Sequence, residues 1–303
     1  MKNTKINSIV ALMGIVATSH AKITLADDLS LSGYIYAAAD YLDLDPDADI
    51  TTDVELETIL DYSLKDTPVS FHAEIAFIGT DAAVGGDILS ENVILSYQLS
   101  EELSVGAGRI LSYQGYDTFD QNTRAQRSFG WLSANSPYYD AFANGVTANY
   151  KGDGYALGAF IKEGSNETDD VEFEFLLEYS GFEGLFARVI IAFDEDSKTT
   201  YNAWAAYTFG DTTIGGEFIT NQFEEIDDLT AYMVNVSQAF GDFGVTARFV
   251  ATDHDAEFSG EKYTIAPYYK VTENVTIRGE LTFEEYDDID SRTLASVEAF
   301  LNF

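Results

Sequence analysis

The chain of 303 residues has no cysteine, only four prolines, three histidines, and 16 lysines and arginines against 52 aspartates and glutamates. Without cysteine there are no disulfides, which excludes the small stapled secreted scaffolds. The shortage of positive charge, a formal net of −36, excludes nucleic-acid binding, where a basic patch supplies the affinity. After residue 21 no apolar run is long enough for a membrane helix, which needs ~20 residues. What is present is aromatic: 19 tyrosines and 21 phenylalanines in a chain that is 46% hydrophobic, too much for disorder. Few prolines and 23 glycines fit strands joined by short turns. A soluble β protein and a transmembrane barrel, whose lipid face shows only at every second residue, are the classes left.

The first residues read as a secretory signal peptide. Met1 to Lys5 carries two lysines, Ile6 to Thr18 is largely apolar, and Ser19-His20-Ala21 sets small residues around a cut. The expected division is a signal peptide over 1–21 and a barrel over 22–303. Removing 1–21 leaves 14 basic against 52 acidic residues, about −38.

Period-two alternation separates the two classes. Val54, Leu56, Leu60 and Tyr62 alternate with Glu55, Glu57, Asp61 and Ser63. Val171, Phe173, Phe175, Leu177 and Tyr179 alternate with Glu172, Glu174 and Glu178, and Val275, Ile277, Leu281 and Phe283 with Arg278, Glu280, Thr282 and Glu284. The pattern predicts sixteen strands near 29–41, 53–64, 69–78, 89–99, 103–110, 142–150, 155–162, 171–179, 185–193, 199–209, 212–221, 230–240, 243–252, 262–271, 275–286 and 293–303, those near 103 and 212 being the faintest. Connections alternate as well. Seven are tight, with turn chemistry such as Lys151-Gly152-Asp153-Gly154 and Gly210-Asp211. The other eight are mostly longer and acidic, among them Asp43 to Asp49, Glu163 to Asp170 and Asp253 to Glu261. Short turns on the periplasmic side and long polar loops outside are the habit of a membrane barrel.

An aromatic stands near the turn-side end of every second strand, on its apolar parity: Tyr62, Tyr97, Tyr150, Tyr179, Tyr207, Phe240, Tyr269 and Phe303. A ring of aromatics at one height is an interfacial girdle, which a soluble sandwich has no reason to build. The expected fold is therefore all-β, a transmembrane antiparallel β-barrel of about sixteen strands.

The last strand, Thr293, Ala295, Val297, Ala299, Leu301 and Phe303, resembles the closing strand of Gram-negative outer-membrane proteins. There the final aromatic belongs to the signal read by the barrel assembly machinery, a role the resemblance gives Phe303. The stretch from Gly108-Arg109 through Arg127-Ser128 to Gly145-Val146-Thr147-Ala148-Asn149-Tyr150 is similar to β-barrel porins. That resemblance implies the cell outer membrane with its lipid as surroundings, small hydrophilic solutes as cargo, passive diffusion without a cofactor, and a homotrimer. It also implies that the long connection at about 111–141, between the fifth and sixth strands, folds inward to narrow the pore.

Candidate functional residues follow from position and charge. Around the long connection stand Arg109, Asp117, Asp120, Arg124 and Arg127, opposed charges that would set a transverse field in a narrow passage. The alternative is surface pairing of these arginines with acidic loops. Parity turns Glu55, Glu57, Asp61, Glu74, Glu172, Glu174, Glu178, Glu217, Glu280 and Glu298 to the lumen, with Lys162, Arg188, Arg248 and Arg278. Their acidic excess predicts a cation-preferring pore. Asp43, Asp45, Asp47 and Asp49 imitate a calcium loop but carry Ala48 where its glycine belongs, so no metal is expected. His72 beside Glu74, and Asp253-His254-Asp255, keep an outer-membrane protease or phospholipase as the rival class, without a nucleophile motif. A plugged structural barrel is the third.

Overall fold

The computed structural model describes residues 22–44, 47–80, 87–117, 124–128, 142–164, 171–194, 198–223, 228–254, 259–286 and 290–303. The expected signal peptide lies outside the described residues. The chain forms β1 (Ile23–Ala26), β2 (Leu29–Leu44), β3 (Asp47–Ser63), β4 (Val69–Thr80), β5 (Asp87–Gln98), β6 (Leu103–Leu111), β7 (Phe142–Lys151), β8 (Tyr155–Glu163), β9 (Val171–Tyr179), β10 (Leu185–Phe193), β11 (Lys198–Phe209), β12 (Thr212–Phe223), β13 (Leu229–Phe240), β14 (Phe243–His254), β15 (Gly260–Lys270), β16 (Val275–Tyr286) and β17 (Arg292–Asn302). From β2 onward each strand pairs antiparallel with the next, and β17 pairs back onto β2 from Thr293↔Asp43 to Asn302↔Tyr34. Sixteen strands thus close on themselves, leaving no exposed edge. The two faintest expected strands, near 103 and 212, are β6 and β12.

The sequence pattern explains the ring. Alternate residues on one face are apolar and exposed, such as Leu95, Phe175, Leu177, Val234, Ile265 and Leu281, while the face they enclose carries buried polar and charged groups. This is a soluble protein turned inside out, and it holds only where hydrocarbon replaces water outside. Tyr62, Tyr97, Tyr150, Tyr179, Tyr207, Phe240 and Tyr269 are all exposed on the outer face at the turn side. Cross-strand contacts such as Tyr150–Tyr155, Phe182–Tyr207 and Phe240–Phe243 extend the girdle between strands. The two-residue turns Gly210-Asp211 and Gly241-Asp242 each put glycine at positive φ, 57° and 67°, where a Cβ would be strained.

Two departures from the sequence reading concern the first hairpins. Asp43 to Asp49, expected as a loop, is mostly strand: β2 and β3 remain paired out to Leu44↔Asp47. Acidity alone does not end a strand, since a pair that runs beyond the apolar band is free of the alternation that lipid imposes. The short β1 was not expected, since four residues are too few to show a period. It pairs with β2 through Ile23↔Leu31 and Thr24↔Ser30, next to where Gly33 and Phe303 exchange backbone hydrogen bonds of 2.8 and 2.9 Å.

Candidate pore constriction

The connection between β6 and β7 enters the barrel, and its described parts touch strands far around the ring. At its start, the Glu174 carboxylate on β9 accepts from Ser112 Oγ (2.8 Å), the Tyr113 amide (3.0 Å), Gln114 Nε2 (3.3 Å) and Lys162 Nζ (2.9 Å). Glu174 is 0% exposed, so four donors offset the loss of its hydration. The Gly115 amide then donates to Asn202 on β11 and the Tyr116 amide to Glu217 on β12, each at 3.0 Å. Asp117 accepts from Arg248 on β14 at 3.0 Å.

Apolar packing reinforces this first run. Tyr116 meets Trp204 edge-on at 5.4 Å and joins a buried cluster with Ile190, Ile219, Met233 and Val250 on β10 to β14. Tyr113 meets Phe160 edge-on at 6.2 Å. Glycine makes room for both rings: a Cβ on Gly158 would lie 3.0 Å from the Tyr113 ring, and one on Gly215 2.6 Å from the Tyr116 hydroxyl. Burial pushes both phenols up, so each stays protonated across the physiological range.

The second described run, 124–128, is held by charge. Amides of Arg127 and Ser128 donate to Glu280 on β16, and the Ser128 carbonyl accepts from Arg248 at 2.8 Å. Arg278 donates to the Arg124 carbonyl and pairs with Glu298. Arg127 bonds Asp40 on β2 at 2.9 Å and Asp53 on β3, with its guanidinium 5.4 Å over Tyr36. From β9 round to β3 the described parts of the loop are therefore tied to seven strands, β9, β11, β12, β14, β16, β2 and β3.

Of the residues expected at the constriction, Asp117, Arg124 and Arg127 lie together inside the barrel, and Asp120 falls outside the described residues. Arg109 is a correction. Its register, Val93↔Arg109↔Asn144, sets it on the outward face of Leu95, Tyr97 and Val146. Nearness to the loop suggested an inward side chain, but strand parity decides direction and β6 carries Val105, Ala107 and Arg109 on the lipid side.

Glu55, Glu57, Glu74, Glu172, Glu174, Arg188, Arg248 and Arg278 occupy inward parity. Arg188 pairs with Glu178 at 3.0 Å and lies 5.3 Å over both Phe186 and Trp204. Lys162 pairs with Glu172 and Glu174, and Lys262 with Glu284 at 2.9 Å. The tethering roles of Asp40 and Asp53 were not foreseen, because partners 74 to 87 residues away leave no local signal. His72 bridges two carboxylates, Asp61 at Nδ1 (2.7 Å) and Glu74 at Nε2 (2.8 Å). With both ring nitrogens so occupied, the imidazole has none left to activate a nucleophile. The His254 side chain lies outside the described residues.

No family model and no curated protein sequence matches the chain. Solved structures do match in shape. An anion-selective porin from Comamonas acidovorans is similar at a TM-score of 0.71 with 15% identity over 91% of this chain and 99% of that one. A mutant of the Rh. blastica porin gives 0.67 with 18% identity over 91% and 100%. OmpT of Vibrio cholerae, outer-membrane expressed, gives 0.65 with 14% identity over 93% and 100%. The chain has the closed sixteen-strand antiparallel barrel fold of the outer-membrane porins.

Proposed function

We propose that the protein is an outer-membrane porin, a water-filled channel through which ions and small hydrophilic solutes diffuse passively, with a preference for cations. The observation that carries the reading is the loop after β6, tied inside an inside-out barrel by Glu174, Glu217, Arg248, Glu280 and the Asp40–Asp53 pair. A loop spanning the lumen at fixed contacts sets the width and field of the passage, so Asp117, Arg124 and Arg127 act as constriction residues. The Comamonas structure is named as anion-selective. The opposite preference for this chain rests on its inward acids on β3 to β5, where Glu55, Glu57, Asp61 and Glu74, joined by Glu91 across the bulge between Val93 and Ser90, share the face with no lysine or arginine of those strands.

Stable open steps of the purified protein in planar bilayers support the reading. A silent, folded barrel would instead mark a plugged or enzymatic one. Phe303 is assigned the assembly role: deleting it, or Phe303→Glu, should lower folded, heat-modifiable protein in the outer membrane, because charge on a lipid face is costly. Unchanged levels would remove that role.

A further inference from the structure

Of all the lysines, arginines and histidines of the chain, only His72 stands on β3 to β5. Its register, Asp61↔His72 on β3 and His72↔Ile94 on β5, turns it inward, one residue above the girdle row of Tyr62 and Phe71. Glu57 and Glu55 lie farther up the same face, opposite Ala76 and Ile78, and Asp53 beyond them meets Arg127 of the loop. His72 therefore belongs to the periplasmic end of the acidic wall. Both of its ring nitrogens face carboxylate oxygens, Asp61 Oδ1 at 2.7 Å and Glu74 Oε1 at 2.8 Å. Asn92 donates to the second oxygen of Glu74, and Lys22 Nζ reaches the second oxygen of Asp61 at 3.5 Å.

An ionised carboxylate only accepts hydrogen bonds, and a neutral imidazole has a single N–H to give. Two contacts of this length need two hydrogens. Wherever those hydrogens rest, Asp61, His72 and Glu74 together carry one negative charge and not two. That charge also faces the passage: the His72 side chain is 27% exposed, against 1–4% for Arg248, Lys162, Lys262 and Arg278, which are buried in their ion pairs. We infer that His72 is a specificity-determining residue of the channel, an imidazolium on the lumen wall that cancels one unit of the acidic charge of β3 to β5 and tempers the preference for cations. The inference rests on the channel reading. It leaves the net charge of the wall concentrated around Glu55, Glu57 and Glu91, toward the loop, and nearly balanced below them where Lys22 and His72 meet Asp61 and Glu74.

The test compares reversal potentials of the purified wild-type, His72→Gln and His72→Lys proteins across a bilayer, under a salt gradient near 0.1 M and at neutral pH. His72→Gln removes the charge and keeps a polar side chain. Its cation-to-anion permeability ratio should rise about two-fold, the size of one unit charge acting through water over several ångströms. His72→Lys keeps a cation between the same two carboxylates and should stay at the wild-type ratio. The gap between His72→Gln and wild type should shrink near 1 M salt, where the Debye length is about 3 Å. Heat-modifiable migration checks that each variant folds, and His72→Asn serves should the glutamine variant fail to do so. An unchanged ratio in His72→Gln overturns the inference. So does an equal rise in His72→Lys, which would trace the effect to lost hydrogen bonds and not to charge. A wild-type barrel that carries no current overturns the channel reading and this inference together, whereas open channels indifferent to position 72 overturn this inference alone.

Discussion

The two sides of the lumen are built from the same alternating strands and differ in how they handle charge. Along β8 to β17 five inward cations each have a carboxylate partner: Lys162 with Glu172 and Glu174, Arg188 with Glu178, Arg248 with Asp117, Lys262 with Glu284 and Arg278 with Glu298. Burial explains the pairing, since an unpartnered ion under the loop would lose its hydration with nothing in return. Along β3 to β5 the inward face carries acids and no lysine or arginine of those strands; Asp53 there pairs with Arg127 of the loop, and the other acids meet Tyr34, His72, Asn92 and Lys22. The paired side is structural, holding the loop. The acidic side carries the charge excess, and the lesson is that fixed charge counts for permeation where it is not already spent on packing.

The most drastic way to break the comparison is to detach the loop where it crosses to the acidic side. Arg127→Glu would set a third carboxylate beside Asp40 and Asp53, and losing one partner of such a network costs on the order of 3 kcal/mol. Combined with Arg124→Glu, it should change single-channel conductance and ion preference together. If both stay at wild-type values, the loop does not set the passage.

A milder change should separate loop position from charge. Gly215→Leu fills the notch under Tyr116, an overpacking expected to cost about 1–3 kcal/mol. Current noise and conductance should change while ion preference holds, because no charge is altered. Gly215→Ala should show a weaker form of the same effect. A shift in preference with either variant would mean that the loop's position controls selectivity.

The smallest change addresses the acidic side alone. Glu55→Gln with Glu91→Gln removes two carboxylates without touching the described loop contacts. Cation preference at low salt should fall while the yield of folded barrel stays level. Unchanged preference would move the charge-selective element elsewhere.

Much of this fold was legible in the sequence because lipid outside and water inside force opposite residue types onto alternate positions, as in Val171 to Tyr179. The girdle was legible for the same reason, since Tyr179 and Tyr207 must sit at one height. Arg109 was misplaced because its neighbourhood in sequence, next to the long loop, points one way and its parity the other. The loop tethers were not legible. Glu217 and Glu280 read as inward acids among several, and only the folded chain brings the Tyr116 amide to one and the Ser128 amide to the other. Asp43 to Asp49 shows the reverse, since its acidity reads as a loop although β2 and β3 stay paired out to Leu44↔Asp47.

The reversal potential across a bilayer under a salt gradient, read at low and at high ionic strength, tests the central claim most directly. At 0.1 M salt the Debye length is roughly 10 Å, comparable with a narrow passage, so the fixed acids on β3 to β5 should attract cations and exclude anions. The predicted result is a cation preference that fades as salt rises. An anion preference at low salt would contradict it, showing that Arg124 and Arg127 govern the pore in spite of the pairing of Arg127 with Asp40 and Asp53.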